Sequence, residues 1–140
     1  MPTGYTIEDQ EGLYFLTLQV VGWVDLFTRQ TYRDIIIDNL NFCQNKKGLN
    51  LFGYVIMSNH LHLLAQSDYG RLSSVIRDFK SFTSKCFLVN IQSEKESRRE
   101  WMLNYFEFAA KNIKETAIIK FGHMRTTLNI FIQKNSWHKN

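Results

Sequence analysis

Residues 49–66 read LNLFGYVIMSNHLHLLAQ, two strand-like runs separated by the dipeptide Ser58-Asn59. Leucine, Phe, Tyr, Val and Ile fill the first run, and several of these types suit a pleated, half-buried surface. So short a link between two such runs predicts a tight turn and an antiparallel hairpin. Side chains alternate faces along a strand, so His60 and His62 share one face, about 7 Å apart along the backbone by the strand rise. Leu61 and Leu63 share the other and point into a core. The histidines are left on the open face of the sheet, where a ligand could lie.

The flanking segments place this hairpin in a fold. LYFLTLQVVGWV, residues 13–24, has the residue types of a strand and is apolar on both faces for much of its length, which predicts a central position. FTRQTYRDIIIDNLNFCQNKKG reads as a helix. Thr28 is its expected cap, and Tyr32, Ile35, Ile36, Leu40 and Cys43 recur at helical spacing. Lys46 and Lys47 suit the last turn, and Gly48 the stop. A second helix covers residues 71–90, with Leu72, Val75, Ile76, Phe79, Phe82 and Cys86 as its buried stripe. A third covers 93–111, with Ser93 and Glu96 as a capping box and Trp101, Met102, Tyr105 and Ala109 on its inner face. The order β-α-β-β-α followed by a further helix is most of an α+β, ferredoxin-like split βαβ domain: an antiparallel sheet with helices on one face.

A chain of 140 residues with 44% hydrophobic and 21% charged residues suits one globular domain. The N-terminus, MPTGYTIEDQEG, lacks the basic start and apolar block of a signal peptide, and the apolar run Leu13 to Val24 is too short to span a bilayer. Cys43 and Cys86 fall inside helical patterns and read as reduced thiols. These features predict a cytoplasmic protein with no membrane partner. Residues 1–70 hold four Lys/Arg against seven Asp/Glu, and residues 71–140 hold thirteen against six, so net charges of −3 and +7 sum to +4. A basic half suggests an anionic partner, nucleic acid first; an ordinary charged surface is the other reading.

Two imidazoles on one strand face can ligate one divalent ion if a third group completes the site. Taken alone, such a doublet is more often just two polar residues on a solvated face. The wider block GYVIMSNHLHLL, with GLYFLTLQVVGW before it and IRDFKSFTSK after it, strongly resembles the signature of the HUH single-tyrosine transposases. These are the IS-two-hundred-like insertion-sequence enzymes and their REP-associated relatives, and the resemblance covers residues 11–108. It implies cleavage and rejoining of single-stranded DNA near a hairpin by a homodimer. His60 and His62 would hold Mg²⁺ or Mn²⁺, and a tyrosine would become joined to the 5′ end. Asn59 either shapes the turn or orients a histidine or the phosphate.

In the second helix Arg77, Lys80, Ser81, Ser84 and Lys85 recur as one polar stripe, which serves either as a solvated face or as a phosphate-binding register for DNA. Arg98 and Arg99 could extend it. Two other functions compete: a non-catalytic DNA-binding module that grips hairpin single strands without cutting, and RNA binding on an aromatic-rich sheet face, which lacks its expected strand motif here.

The resemblance also implies a nucleophilic tyrosine in a block like YIHNNPV beyond the third helix, and the sequence has none. Family-like text fades after Phe108, which divides the chain into a catalytic-type domain, 1–110, and a tail, 111–140. In a shifted frame, Phe121 and Gly122 can encode Trp, and Arg125 through Leu128 can yield Asn-His-Pro. This predicts a frameshift near codon 110 and loss of the nucleophile module, which the coding DNA would confirm or refute. Tyr105 is then the rival nucleophile, although an aromatic at its spacing, in a stripe with Trp101, Met102 and Ala109, is more often core. Tyr69 is a poorer candidate.

Overall fold

A computed structural model describes residues 7, 9–93, 95–112 and 125–129. Among these, β1 is Tyr14–Gln19, α1 Gln30–Lys46, β2 Leu49–Ile56, β3 His60–Ser67, α2 Leu72–Ile91, α3 Arg99–Asn112 and β4 Arg125–Asn129. The sheet order is β2-β3-β1-β4, and every neighbouring pair is antiparallel. β1 and β2 therefore run parallel with β3 between them, and α1 makes the crossover. This is the split βαβ arrangement of a ferredoxin-like α+β fold, with β1 central as its apolar run predicts. β4 falls in the segment set apart as a tail; residues 113–124 and 130–140 of that segment lie outside the described residues. No described helix is long and apolar enough to cross a membrane.

Alternation along the strands builds the two faces. Tyr14, Leu16, Leu18, Leu61, Leu63 and Ala65 are buried beneath the helices. From α1 the core receives Tyr32, Ile36, Leu40 and Cys43; from α2 it receives Val75, Ile76, Phe79 and Phe87. Asn39 donates to Thr83 Oγ1 at 2.9 Å across the two helices, which satisfies two polar groups inside that contact. Gly48, at φ +71, ends α1 in the left-handed conformation that glycine adopts without strain.

Local expectations fail where tertiary contacts outbid them. The predicted first strand runs to Val24, but pairing stops at Gln19 and residues Val21–Trp23 form a single 3-10 turn. α1 starts at Gln30 with no side-chain cap, and the Thr28 hydroxyl donates to Asp25 O instead. On α2, Phe82 is 55% exposed and stacks on Phe42, while Cys86 is only partly buried; Thr83 and Ser84 take the inward positions. On α3, Trp101 is exposed and Tyr105 partly buried, so Met102, Phe106 and Ala109 form the inner face.

The capping box of Ser93 and Glu96 is replaced by a buried knot. α3 begins at Arg99, too late for either residue to cap it. The Glu96 carboxylate accepts Tyr32 Oη–H at 2.6 Å and Arg98 Nε–H at 3.0 Å, with Arg29 Nε at 3.3 Å. Two guanidiniums and a phenol satisfy a carboxylate more fully than one helix-end amide. Burial pushes its pKa up, but the hydrogen bonds from Arg98 and Tyr32 outweigh burial and hold it at about 2. Burial and the neighbouring Glu96 push the Tyr32 phenol well above its ordinary value.

Candidate functional site

The site is built where the β2–β3 turn meets the loop after β1. Ser58 and Asn59 make the link, with Met57 N–H donating to His60 O at 2.8 Å. The loop clamps it from outside: Val20 N–H donates to Asn59 O at 3.0 Å and Phe27 N–H to Ser58 O at 2.8 Å. This clamp fixes the start of β3, and with it the direction of the two histidines.

His60 and His62 stand on the face opposite Leu61 and Leu63, with ring centroids 4.8 Å apart and planes crossing at 79°. Each Nδ1 has a partner. Thr17, directly opposite His62 in the β1–β3 register, places Oγ1 3.0 Å from its Nδ1. Asn59 Oδ1 lies 2.8 Å from His60 Nδ1, and Asn59 Nδ2 donates to Trp23 O at 3.3 Å. A carbonyl only accepts, so the atom facing Trp23 is the amide nitrogen and the atom facing His60 is the amide oxygen. The contact therefore has His60 Nδ1–H donating to Asn59 Oδ1, which leaves Nε2 as the ring nitrogen without a protein partner in that contact. Partners of this kind orient imidazoles for metal binding. Burial first, and the nearby His60 second, hold the His62 pKa below its ordinary value, which keeps that ring neutral near pH 7.

Two imidazoles side by side are a donor set suited to a divalent ion, and these rings stand 4.8 Å apart. No third His, Cys, Asp or Glu joins them among the described residues. The open positions of an ion here would fall to substrate oxygens and water.

Tyr105 comes close to this corner. Its hydroxyl rests on Gly22, in the turn that carries Trp23, and the Trp23 ring meets His60 at 6.3 Å, edge-on. The α2 residues do not join the site, because α2 packs on the opposite side of the sheet. Arg77 and Lys85 are exposed, Lys80 is half-buried, and Ser84 is 1% exposed, which removes it as a surface phosphate contact. The expected single polar stripe is thus interrupted by the burial of Ser84. Arg98 is committed to Glu96 and to Asp25 O, and Arg99 Nη1 donates to Gln92 O at 3.4 Å. Tyr69 is 85% exposed at the far end of β3.

Three contributors escaped the sequence analysis. Thr17 needed the β1–β3 register, which no local pattern encodes. Phe15, stacked on His62 at 5.1 Å and 25°, needed the same register. Trp23 was absorbed into an apolar run, and only the Gly22 before it signalled a break.

Residues 24–121 match the protein family described as "Transposase IS200 like". A comparison with curated proteins finds no match. The family match contains both histidines and Tyr105, and it continues past residue 110.

Proposed function

This chain belongs to the IS200-like transposase family, and from that membership we propose that it binds single-stranded hairpin DNA and cuts and rejoins it during transposition. The observation that carries this reading is the histidine pair: two imidazoles on one sheet face, 4.8 Å apart and each engaged through its Nδ1. His60 and His62 would hold Mg²⁺ or Mn²⁺, which when bound polarises the scissile phosphate and offsets its developing charge. Asn59 and Thr17 position the two rings. The acting unit on this reading is a homodimer.

Tyr105 is the proposed nucleophile. Its phenolic oxygen would form a bond to phosphorus as the bond from phosphorus to the 3′ oxygen breaks. The 3′ oxygen leaves as a hydroxyl, and the 5′ phosphate stays on the tyrosine. Attack by a 3′ hydroxyl on that linkage reverses the step, so the bond energy is conserved without an external source. A second reading, binding without cleavage, is favoured by the Tyr105 hydroxyl being packed against Gly22 rather than open to substrate.

One experiment separates them. End-labelled hairpin DNA with a single-stranded flank is incubated with the protein and Mn²⁺, then run on a denaturing gel. A covalent adduct that His60→Ala and Tyr105→Phe each abolish supports cleavage. Hairpin binding with no adduct supports the second reading, and absence of any binding refutes both.

A further inference from the structure

Trp23 combines strain with exposure. Its φ is +58, a left-handed conformation that a bulky side chain occupies only under constraint. Burial does not offset that strain, because the side chain is 57% exposed. The preceding Gly22, at φ +67, already supplies one left-handed residue to the turn without cost. A glycine at position 23 would serve the backbone better. Exposed strain of this kind is retained where a side chain must point in a set direction.

That direction is toward the histidines. The indole meets the His60 ring at 6.3 Å and 78°, with more than half its surface still open. The backbone beneath it is locked on both sides. Trp23 N–H donates to Val20 O at 3.1 Å, and Trp23 O accepts from Asn59 Nδ2 at 3.3 Å. The same Asn59 amide fixes His60 through its oxygen. One side chain thus sets the indole and the imidazole in a common frame.

We propose that Trp23 is a stacking platform for one unpaired base of the DNA strand whose phosphate lies at His60 and His62. This rests on the single-strand DNA reading given above. An indole face accepts any base, so the contact would fix the strand's register beside the histidines without reading its sequence. Trp23 is on this account a positioning residue, and it acts by holding the substrate.

The test is equilibrium binding of a fluorescent hairpin oligonucleotide, either intact or carrying one abasic position walked along its single-stranded flank. The full chain is compared with Trp23→Gly and Trp23→Phe. Stacking on an aromatic is worth about 1–3 kcal/mol per base, which converts to about 5- to 150-fold in affinity. Trp23→Gly should lose affinity in that range, and Trp23→Phe much less. One abasic position should weaken the native chain and leave Trp23→Gly unchanged. Glycine relieves the strain at φ +58, so Trp23→Gly should unfold at the native temperature or above, which separates lost stacking from lost folding. Equal binding by Trp23→Gly and the native chain overturns this proposal and leaves the DNA reading standing. So does an abasic penalty that is the same in both. A native chain that binds no hairpin overturns both.

Discussion

Gly22→Ala probes how Tyr105 is packed on the turn after β1. Gly22 sits at φ +67, where an L-residue costs about 1–2 kcal/mol. A Cβ there would overlap the Tyr105 hydroxyl and come within 2.5 and 2.7 Å of its Cζ and Cε1. Overpacking of this kind costs about 1–3 kcal/mol, so the substitution should destabilise by about 2–5 kcal/mol. Tyr105 is only partly buried and can swing outward, which favours the lower half of that range. The two contributions separate in a double-mutant cycle with Tyr105→Ala, followed by urea unfolding. With the ring gone, Gly22→Ala retains only its backbone cost, and a coupling of about 1–3 kcal/mol should appear. Tyr105→Phe should rescue little, because the ring atoms at 2.5 and 2.7 Å remain. Additive effects, within about 0.5 kcal/mol, would refute the packing of Tyr105 on this turn. They would also remove the geometric case for Tyr105 as nucleophile.

Asn59→Leu removes the acceptor for His60 Nδ1–H and the donor to Trp23 O together. Mn²⁺ affinity, measured by calorimetry, should fall about 10- to 100-fold; unchanged affinity would mean that the ring needs no orienting partner. The Glu96 knot predicts an acid-sensitive fold. Its folded pKa, about 2, lies below the ordinary 4.5, so the unfolded chain binds the extra proton. The stabilisation is complete above pH 4.5 and is lost as pH falls toward 2; the difference corresponds to about 3 kcal/mol. Glu96→Gln should flatten the stability–pH curve over that window, and identical curves would show that the carboxylate is not held as described.

The parts of this molecule that follow from alternation alone were legible in the sequence. His60, Leu61, His62 and Leu63 sort onto two faces because period two is a local property of a strand, and the structure keeps that sorting. Element order was legible for the same reason, and it led to the split βαβ topology. Boundaries and caps were not, because partners far along the chain decide them. Glu96 has the right spacing from Ser93 for a capping box, yet Tyr32, 64 residues away, and two arginines hold it. Phe82 has the right spacing for the core, yet Asn39 draws Thr83 inward and Phe82 is left against Phe42 at the surface. Thr17 could be placed against His62 only once the register was known.

The same contrast runs through the site. The histidine pair rests on one hairpin, the strand beside it and a two-residue turn, all of short range apart from Thr17 and the clamp at Val20 and Phe27. The tyrosine half rests on a long-range contact, a hydroxyl set over Gly22 from a helix more than seventy residues away in sequence. A change on α3 can therefore remove Tyr105 and leave the imidazoles in place, whereas a change at Asn59 disturbs the imidazole and the indole together. On the proposed reading, metal binding and adduct formation consequently report on separable structures. A variant that binds Mn²⁺ and hairpin DNA normally but forms no adduct locates its fault at Tyr105 or Gly22. A variant that loses metal affinity while keeping its fold locates it at the turn between β2 and β3 or at Thr17.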